Sequence, residues 1–204
     1  MRLIVTTFLS LDGVMQAPGA PDEDRSGGFD QGGWLVPYAD DDMGRLVGDS
    51  ISAADAFLLG RRTYELFAAY WPQVTDEDDA VASRLNSLPK YVVSTTLDRL
   101  SWTNSTLVTR DVPAEVARLK REPGQELQAH GSSELVRTLA AHGLVDEYRL
   151  WLYPVVLGAG KRLFADGSAP AALQLVDTKT TASGVAVHTY RPVGTPSYGS
   201  FALD

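Results

Sequence analysis

Two short runs in the 204-residue sequence combine glycine with hydroxyl or guanidinium side chains: Gly60-Arg61-Arg62-Thr63 and Gly131-Ser132-Ser133. Each follows an apolar stretch and precedes an amphipathic one, so each is expected where a strand feeds a helix. Free N–H groups and the positive end of the helix dipole favour an anion such as phosphate there. Gly131 lets the backbone come close to a ligand, and Ser132 or Ser133 can cap the helix or bind a phosphate oxygen. A capped turn without any ligand uses the same residue types, and this stretch alone leaves both readings open. Arg61 and Arg62 add planar donor forks that match phosphate geometry. An arbitrary arginine pair is more often a solvated one; acidic surroundings and a strand-end position favour the ligand here.

Two more strand ends carry polar residues: Ser94-Thr95-Thr96, and Ser10 to Gly13, which brings Asp12. In open α/β sheets ligands bind at the carboxyl ends of the strands. One such end is unremarkable because turns favour these residues anyway; four together predict a long ligand lying across the sheet edge. Residues 94–96 stand where a dinucleotide-binding domain would place an acid for the ribose hydroxyls. Hydroxyls near arginines suit a 2′-phosphate instead, which points to NADP. Asp12-Gly13 is equally the composition of a plain turn.

The elements that must position these ends follow from periodicity. Residues 3–9 are apolar and β-branched, the pattern of a buried central strand. Residues 16–42 lack periodicity but hold Phe29, Trp34, Leu35 and Tyr38, too many large apolar groups for a linker, and predict a flap over a pocket. A helix is expected over 43–54, a short strand over 56–59, and a helix over 63–70 that Pro72 closes off. Strands over 90–96 and 106–109 and a helix over 114–121 come next. Residues 128–164 read as strand, Gly-Ser-Ser turn, helix, strand and glycine-containing loop. Residues 173–177 and 184–190 alternate around a polar turn, as in an antiparallel hairpin. The expected architecture is a three-layer α/β domain over residues 1–192, with a mostly parallel central sheet, an antiparallel C-terminal hairpin and a flexible tail over 193–204.

Composition narrows the chemistry. A net charge of −8 argues against a general nucleic-acid binder. The acidic clusters at 22–24, 40–42 and 76–79 read as solvated faces. There is no cysteine, which excludes disulfides and thiolate ligands. The three histidines have no metal-ligand spacing, so no metal is expected. No apolar run approaches the ~20 residues that span a membrane, and the N-terminus reads as a strand and not as a signal peptide, so a cytoplasmic protein is expected. G-x-G-x-x-G is absent after the first strand, and G-x-S-x-G is absent altogether. Gly158-Ala159-Gly160-Lys161 lacks the spacing of a phosphate loop.

Taken in order, L-S-L-D-G (9–13), G-R-R-T-Y-E (60–65), Y-V-V-S-T (91–95), H-G-S-S (130–133) and D-E-Y-R-L with P-V-V-L-G-A-G-K-R-L-F (146–164) resemble the dihydrofolate-reductase-like family. The resemblance is closest to the reductase domain of riboflavin biosynthesis and its stand-alone relatives, and it runs over residues 2–191. It implies an NADPH-dependent reductase that delivers hydride to a small heterocycle, of the kind that reduces 5-amino-6-(5-phosphoribosylamino)uracil. A dihydrofolate reductase and a non-catalytic nucleotide-binding module are the alternatives. It further implies that Gly60, Arg61, Arg62 and Thr63 hold adenosine phosphates, with Ser94 and Thr95 near the 2′-phosphate. Gly131, Ser132 and Ser133 would cradle the pyrophosphate. Asp12 and Gly13 would lie near the nicotinamide and the substrate. Read from the residues themselves, Trp34, Tyr153 and Trp71 are candidates for the wall of the substrate pocket, with core packing the favoured reading for Trp71, and Asp12, Asp40 or a bound water is the candidate proton source. The folate enzymes carry an acid five residues after the tryptophan, where this chain has Ala39, with Asp40 one further on. A one-residue slip turns a helical side chain by ~100°, so folate is not the first substrate to expect. A homodimer is implied as well.

Overall fold

The computed structural model describes residues 1–76 and 79–201. The middle of the acidic run at 76–79 and the last three residues of the expected tail lie outside the described residues. Eight strands form one sheet: β1 (Arg2–Ser10), β2 (Ala56–Gly60), β3 (Lys90–Val93), β4 (Ser105–Val108), β5 (Glu126–His130), β6 (Glu147–Tyr153), β7 (Ala172–Thr180) and β8 (Ala186–Gly194). Their order is β4-β3-β2-β5-β1-β6-β8-β7. The first six pair in parallel, and β8 runs antiparallel to both β6 and β7.

Burial on both faces explains the mostly apolar sequence of β1, where Leu3, Ile4 and Val5 are fully buried. On one face lie α4 (Val112–Leu119) and α5 (Ser133–Ala141), whose Val116, Leu119, Val136 and Leu139 pack with Leu3, Val5, Leu58 and Leu127. On the other lie α1 (Asp41–Ser52), α2 (Arg61–Tyr70) and α3 (Ala80–Ser87), where Ile51, Tyr64 and Leu85 meet Phe57, Leu59 and Val92. The result is the three-layer arrangement that the alternation of strand and helix dictates.

Several boundaries differ from the sequence expectation, and two of them matter. α2 begins at Arg61, not at 63, so both arginines belong to its first turn. β3 ends at Val93, leaving the three hydroxyl residues in the turn beyond it. α3 is unanticipated; Asp79 caps it by accepting from the Val81 and Ala82 N–H groups at 2.9 Å. The stretch expected to be a flap is a strap with two short 3₁₀ turns, at Ser26–Gly28 and Val36–Tyr38. It is anchored by buried Phe29, Trp34 and Leu35.

Candidate functional site

The carboxyl ends of β2 and β5 lie side by side, and each runs directly into a helix. Gly60 is the N-cap of α2 and has no side chain to cap with; Ser132 is the N-cap of α5, and its hydroxyl makes no cap bond either. Ser132 Oγ instead joins the two turns. It accepts from the Gly60 N–H at 2.9 Å and donates to the His130 carbonyl at 3.0 Å. Since its one proton is used, it must accept from Thr63 Oγ1, 2.9 Å away. Two helix N-termini thus meet with no side-chain cap on either, which leaves backbone N–H donors and two dipole ends for an anion.

Glycine suits the close approach of the turns. A Cβ on Gly60 would stand 3.0 Å from Ser132 Oγ, and one on Gly131, whose φ is +54°, would stand 3.3 Å from Thr63 Oγ1. Ser132 itself takes the left-handed conformation, φ +62°, strained for a residue with a side chain.

These turns line one cleft of ≈ 1170 Å³ that also takes in Ser94, Thr95 and Thr96. The arginine pair is divided. Arg61 points to the β3 end, where Nη1 donates to Thr96 Oγ1 at 2.7 Å while Nε pairs with Glu65 at 2.8 Å. Arg62 points to the strap and pairs with Asp24 at 2.5 Å. Ser94 is buried, and its hydroxyl accepts from the N–H groups of Thr96 and Leu97 at 3.1 Å each, closing the turn. Thr95 and Thr96 are the exposed hydroxyls.

The remaining sequence candidates lie elsewhere. The fourth strand end does not line the cleft. Asp12 binds the loop after β6: Oδ1 accepts from Ser10 Oγ at 2.7 Å and Leu157 N at 3.1 Å, Oδ2 from Gly158 N at 2.8 Å and Arg162 Nη2 at 3.2 Å. The Ser10 hydroxyl foremost, then these backbone donors, hold its carboxyl far below the usual range against the opposing effect of burial. It is an ionised clamp, unsuited to giving up a proton. Gly13, φ +79°, completes the same turn. Asp40 caps α1 through the Met43 N–H at 2.7 Å and holds the Ser183 N–H at 2.8 Å; the Met43 bond foremost lowers its carboxyl.

Trp34 and Tyr153 are core residues, not walls of the cleft. Tyr153 is fully buried and packs edge-on against Phe8, Trp34 and Tyr38. The Trp34 indole N–H donates to the Gln16 carbonyl at 2.8 Å. Phe8 stands at the cleft in their place. Trp71, expected in the core, lines the cleft beside Leu66, Phe67 and Tyr70 of α2.

Sequence reasoning missed three further features. Thr6, Thr7 and Phe8 form part of the cleft wall in the middle of β1, and the buried hydroxyls of both threonines have no partner among the described residues. Two threonines inside an apolar strand were the available signal. His130 lies at the cleft with its ring 5.7 Å from that of Phe57 and 6.3 Å from that of Phe67; burial, then the Arg149 charge, pushes it down to about 4, so it is neutral at pH 7. Asp24 draws Arg62 and Lys161 together from distant parts of the sequence, a contact that no local pattern announces.

The mixed, mainly parallel sheet, the crossover helices and a cleft built on two helix N-termini define an α/β protein of the dihydrofolate-reductase-like class. The chain belongs to the RibD C-terminal domain family, whose profile matches residues 2–187. It is 33% identical over 186 residues to the uncharacterized protein YyaP of Bacillus subtilis (strain 168), covering 90% of this chain and 91% of that one. It is 29% identical over 143 residues to YwjB of the same organism, covering 70% and 77%. Among solved structures it resembles a putative riboflavin biosynthesis protein from Shewanella sp. PV-4, with a TM-score of 0.69 and 21% identity over 94% of this chain and 99% of that one. It also resembles the deaminase/5-amino-6-(5-phosphoribosylamino)uracil reductase of Thermotoga maritima, with a TM-score of 0.60 and 16% identity over 94% of this chain and 56% of that longer one. At such identities these structures establish the fold.

Proposed function

We propose that the protein is an NADPH-dependent reductase acting on a small planar heterocycle. The observation that carries this reading is the meeting of two helix N-termini at Ser132 beside the Arg61–Thr96 pair. The donor set suits the cofactor: backbone N–H groups at Gly131, Ser132 and Ser133 for the pyrophosphate, and Arg61 with Thr95 and Thr96 for the 2′-phosphate. When bound, the cofactor supplies a hydride.

The chain's own part is to bind, orient and exclude water. Phe8, Phe67 and Trp71 offer apolar surface to a ring. The strap, latched to Arg62 and Lys161 by Asp24, lines one side of the cleft. For the proton that balances hydride addition, the cleft-lining acid we assign is Glu23. Burial raises its carboxyl despite hydrogen bonds from the Gly19 and Ala20 N–H groups, so its protonated form is favoured more than that of Asp12 or Asp40. A folate reductase would need an acid on the substrate-side helix turned to the cleft, whereas Asp40 is occupied as the cap of α1. The family resemblance carries a homodimer with it. We assign the contact to β7, an edge strand with exposed Leu175 and Val176.

The test is NADPH oxidation in the presence of aminopyrimidines and pterins, with Gly131→Val as the control that fills the cradle. Oxidation by the native protein and none by the variant is expected. A protein that neither binds nor oxidises NADPH would refute the reading.

A further inference from the structure

The cleft has two ends with different charge. At the β3 end Arg61 stands beside exposed Thr95 and Thr96. At the strap end the two cations, Arg62 and Lys161, converge on one carboxylate, Asp24. Lys161 Nζ reaches Oδ2 at 2.5 Å and Arg62 Nη1 reaches Oδ1 at 2.5 Å. Oδ1 also accepts from Ser26 N at 3.0 Å and Ser26 Oγ at 2.6 Å. The Asp24 side chain is 14% exposed. Burial alone would raise its carboxyl, but the bonds from Lys161, Ser26 and Arg62 outweigh that and hold it ionised. Asp22 and Glu23 line the same end, and the neighbouring Arg25 is paired with Asp22. Among the described residues lining this end, no cation remains unpaired.

From this arrangement we infer that the substrate is a planar nitrogen heterocycle without a phosphate group, uncharged or cationic. A phosphate entering here would have to displace a carboxylate held by four donors, and would then leave that carboxylate partly buried beside it. The chain itself supplies the anion that Arg62 and Lys161 would otherwise seek. Beside the unpartnered Thr6 and Thr7 hydroxyls, the wall offered to a ligand is mainly apolar and aromatic: Phe8, Leu35, Leu66, Phe67, Tyr70 and Trp71. Such a wall takes a flat ring by stacking and selects it with few charges. This inference rests on the reductase reading and narrows its substrate.

The test compares an aminopyrimidine, the same ring carrying a 5-phosphoribosyl group, and ribose 5-phosphate alone. Each is titrated calorimetrically with and without saturating NADPH. The bare ring is expected to bind at least as tightly as its phosphoribosyl form, and ribose 5-phosphate to give no heat. Asp24→Asn, which leaves the two cations unneutralised, should gain ribose 5-phosphate binding by tenfold or more. A phosphoribosyl ring that binds the native protein tenfold better than the bare ring, with the gain lost in Lys161→Met, overturns the inference. If neither ring binds, ribose 5-phosphate decides: binding only to Asp24→Asn supports it, and no gain in that variant overturns it. A protein that ignores NADPH refutes the reductase reading and this inference with it, whereas one that binds NADPH but prefers the phosphoribosyl ring overturns this inference alone.

Discussion

Ser132 is the residue on which the two turns depend, and removing its hydroxyl tests that directly. In Ser132→Ala the Gly60 N–H and the His130 carbonyl lose their partner, and Thr63 loses its acceptor. A polar group left unsatisfied costs about 1–3 kcal/mol when buried. These groups are only partly buried and water reaches some of them, so the sum should be about 2 kcal/mol. For a chain of this size that lowers Tm by roughly 4–8 °C. Ser132→Gly loses the same hydroxyl but relieves the left-handed backbone at φ +62°, and should recover about 1 kcal/mol of the loss. Differential scanning calorimetry of the three proteins, with and without NADPH, reads both effects. Both variants should also bind NADPH more weakly, because the turns that present the N–H groups are no longer joined. A Ser132→Ala protein that melts within 1 °C of the native one (roughly the resolution implied by such shifts) and binds NADPH unchanged would refute the reasoning.

Other consequences follow from the same geometry. Asp12→Ala strips the acceptor from two backbone N–H groups, the Ser10 hydroxyl and Arg162; it should cost about 3 kcal/mol in urea unfolding while leaving NADPH affinity within about twofold. His130 has its proton affinity lowered from 6.5 to about 4 in the fold, so between those values the unfolded chain binds the extra proton. Its contribution is complete above pH 6.5 and is lost as pH falls through about 4, amounting to about 3 kcal/mol. His130→Gln should therefore flatten the stability–pH curve in that window relative to the native protein, and parallel curves would show that the histidine is not desolvated. Arg61→Ala should weaken NADPH by roughly 10–100-fold, the worth of a charge-assisted hydrogen bond or two, and leave NADH nearly unchanged in fluorescence titrations.

What the sequence made legible was local. Gly60 and Gly131 stand at strand ends where the turns come so close that an added Cβ would meet a hydroxyl at 3.0 or 3.3 Å, and a glycine followed by a hydroxyl residue signals that within four residues. Contacts between distant parts of the chain stayed hidden. Arg61 and Arg62 are adjacent and chemically identical, and partners far apart in the chain separate their directions: Thr96, 35 positions from Arg61, and Asp24 of the strap, 38 positions from Arg62. Asp12 has the composition of a turn, but its partners at Leu157 and Gly158 lie some 145 positions on and turn it into a clamp. Trp34 and Tyr153 carried the right chemistry for a pocket wall; Phe8, itself part of an apolar strand, packs on Tyr153 and lines the cleft, while Tyr153 and Trp34 pack on each other in the core. α3 was missed because it buries only Ala82 and Leu85, too few for a clear stripe, and its cap Asp79 closes an acidic run that read as a solvated face.

The central claim is that two helix N-termini and Arg61 form a site for a phosphorylated dinucleotide. Titrating NADPH and NADH into the native protein by calorimetry, at one fixed ionic strength, tests it most directly. The account predicts that NADPH binds at least about tenfold more tightly, as expected for a 2′-phosphate held by an arginine. Equal affinity for the two, or no binding of either, would contradict it.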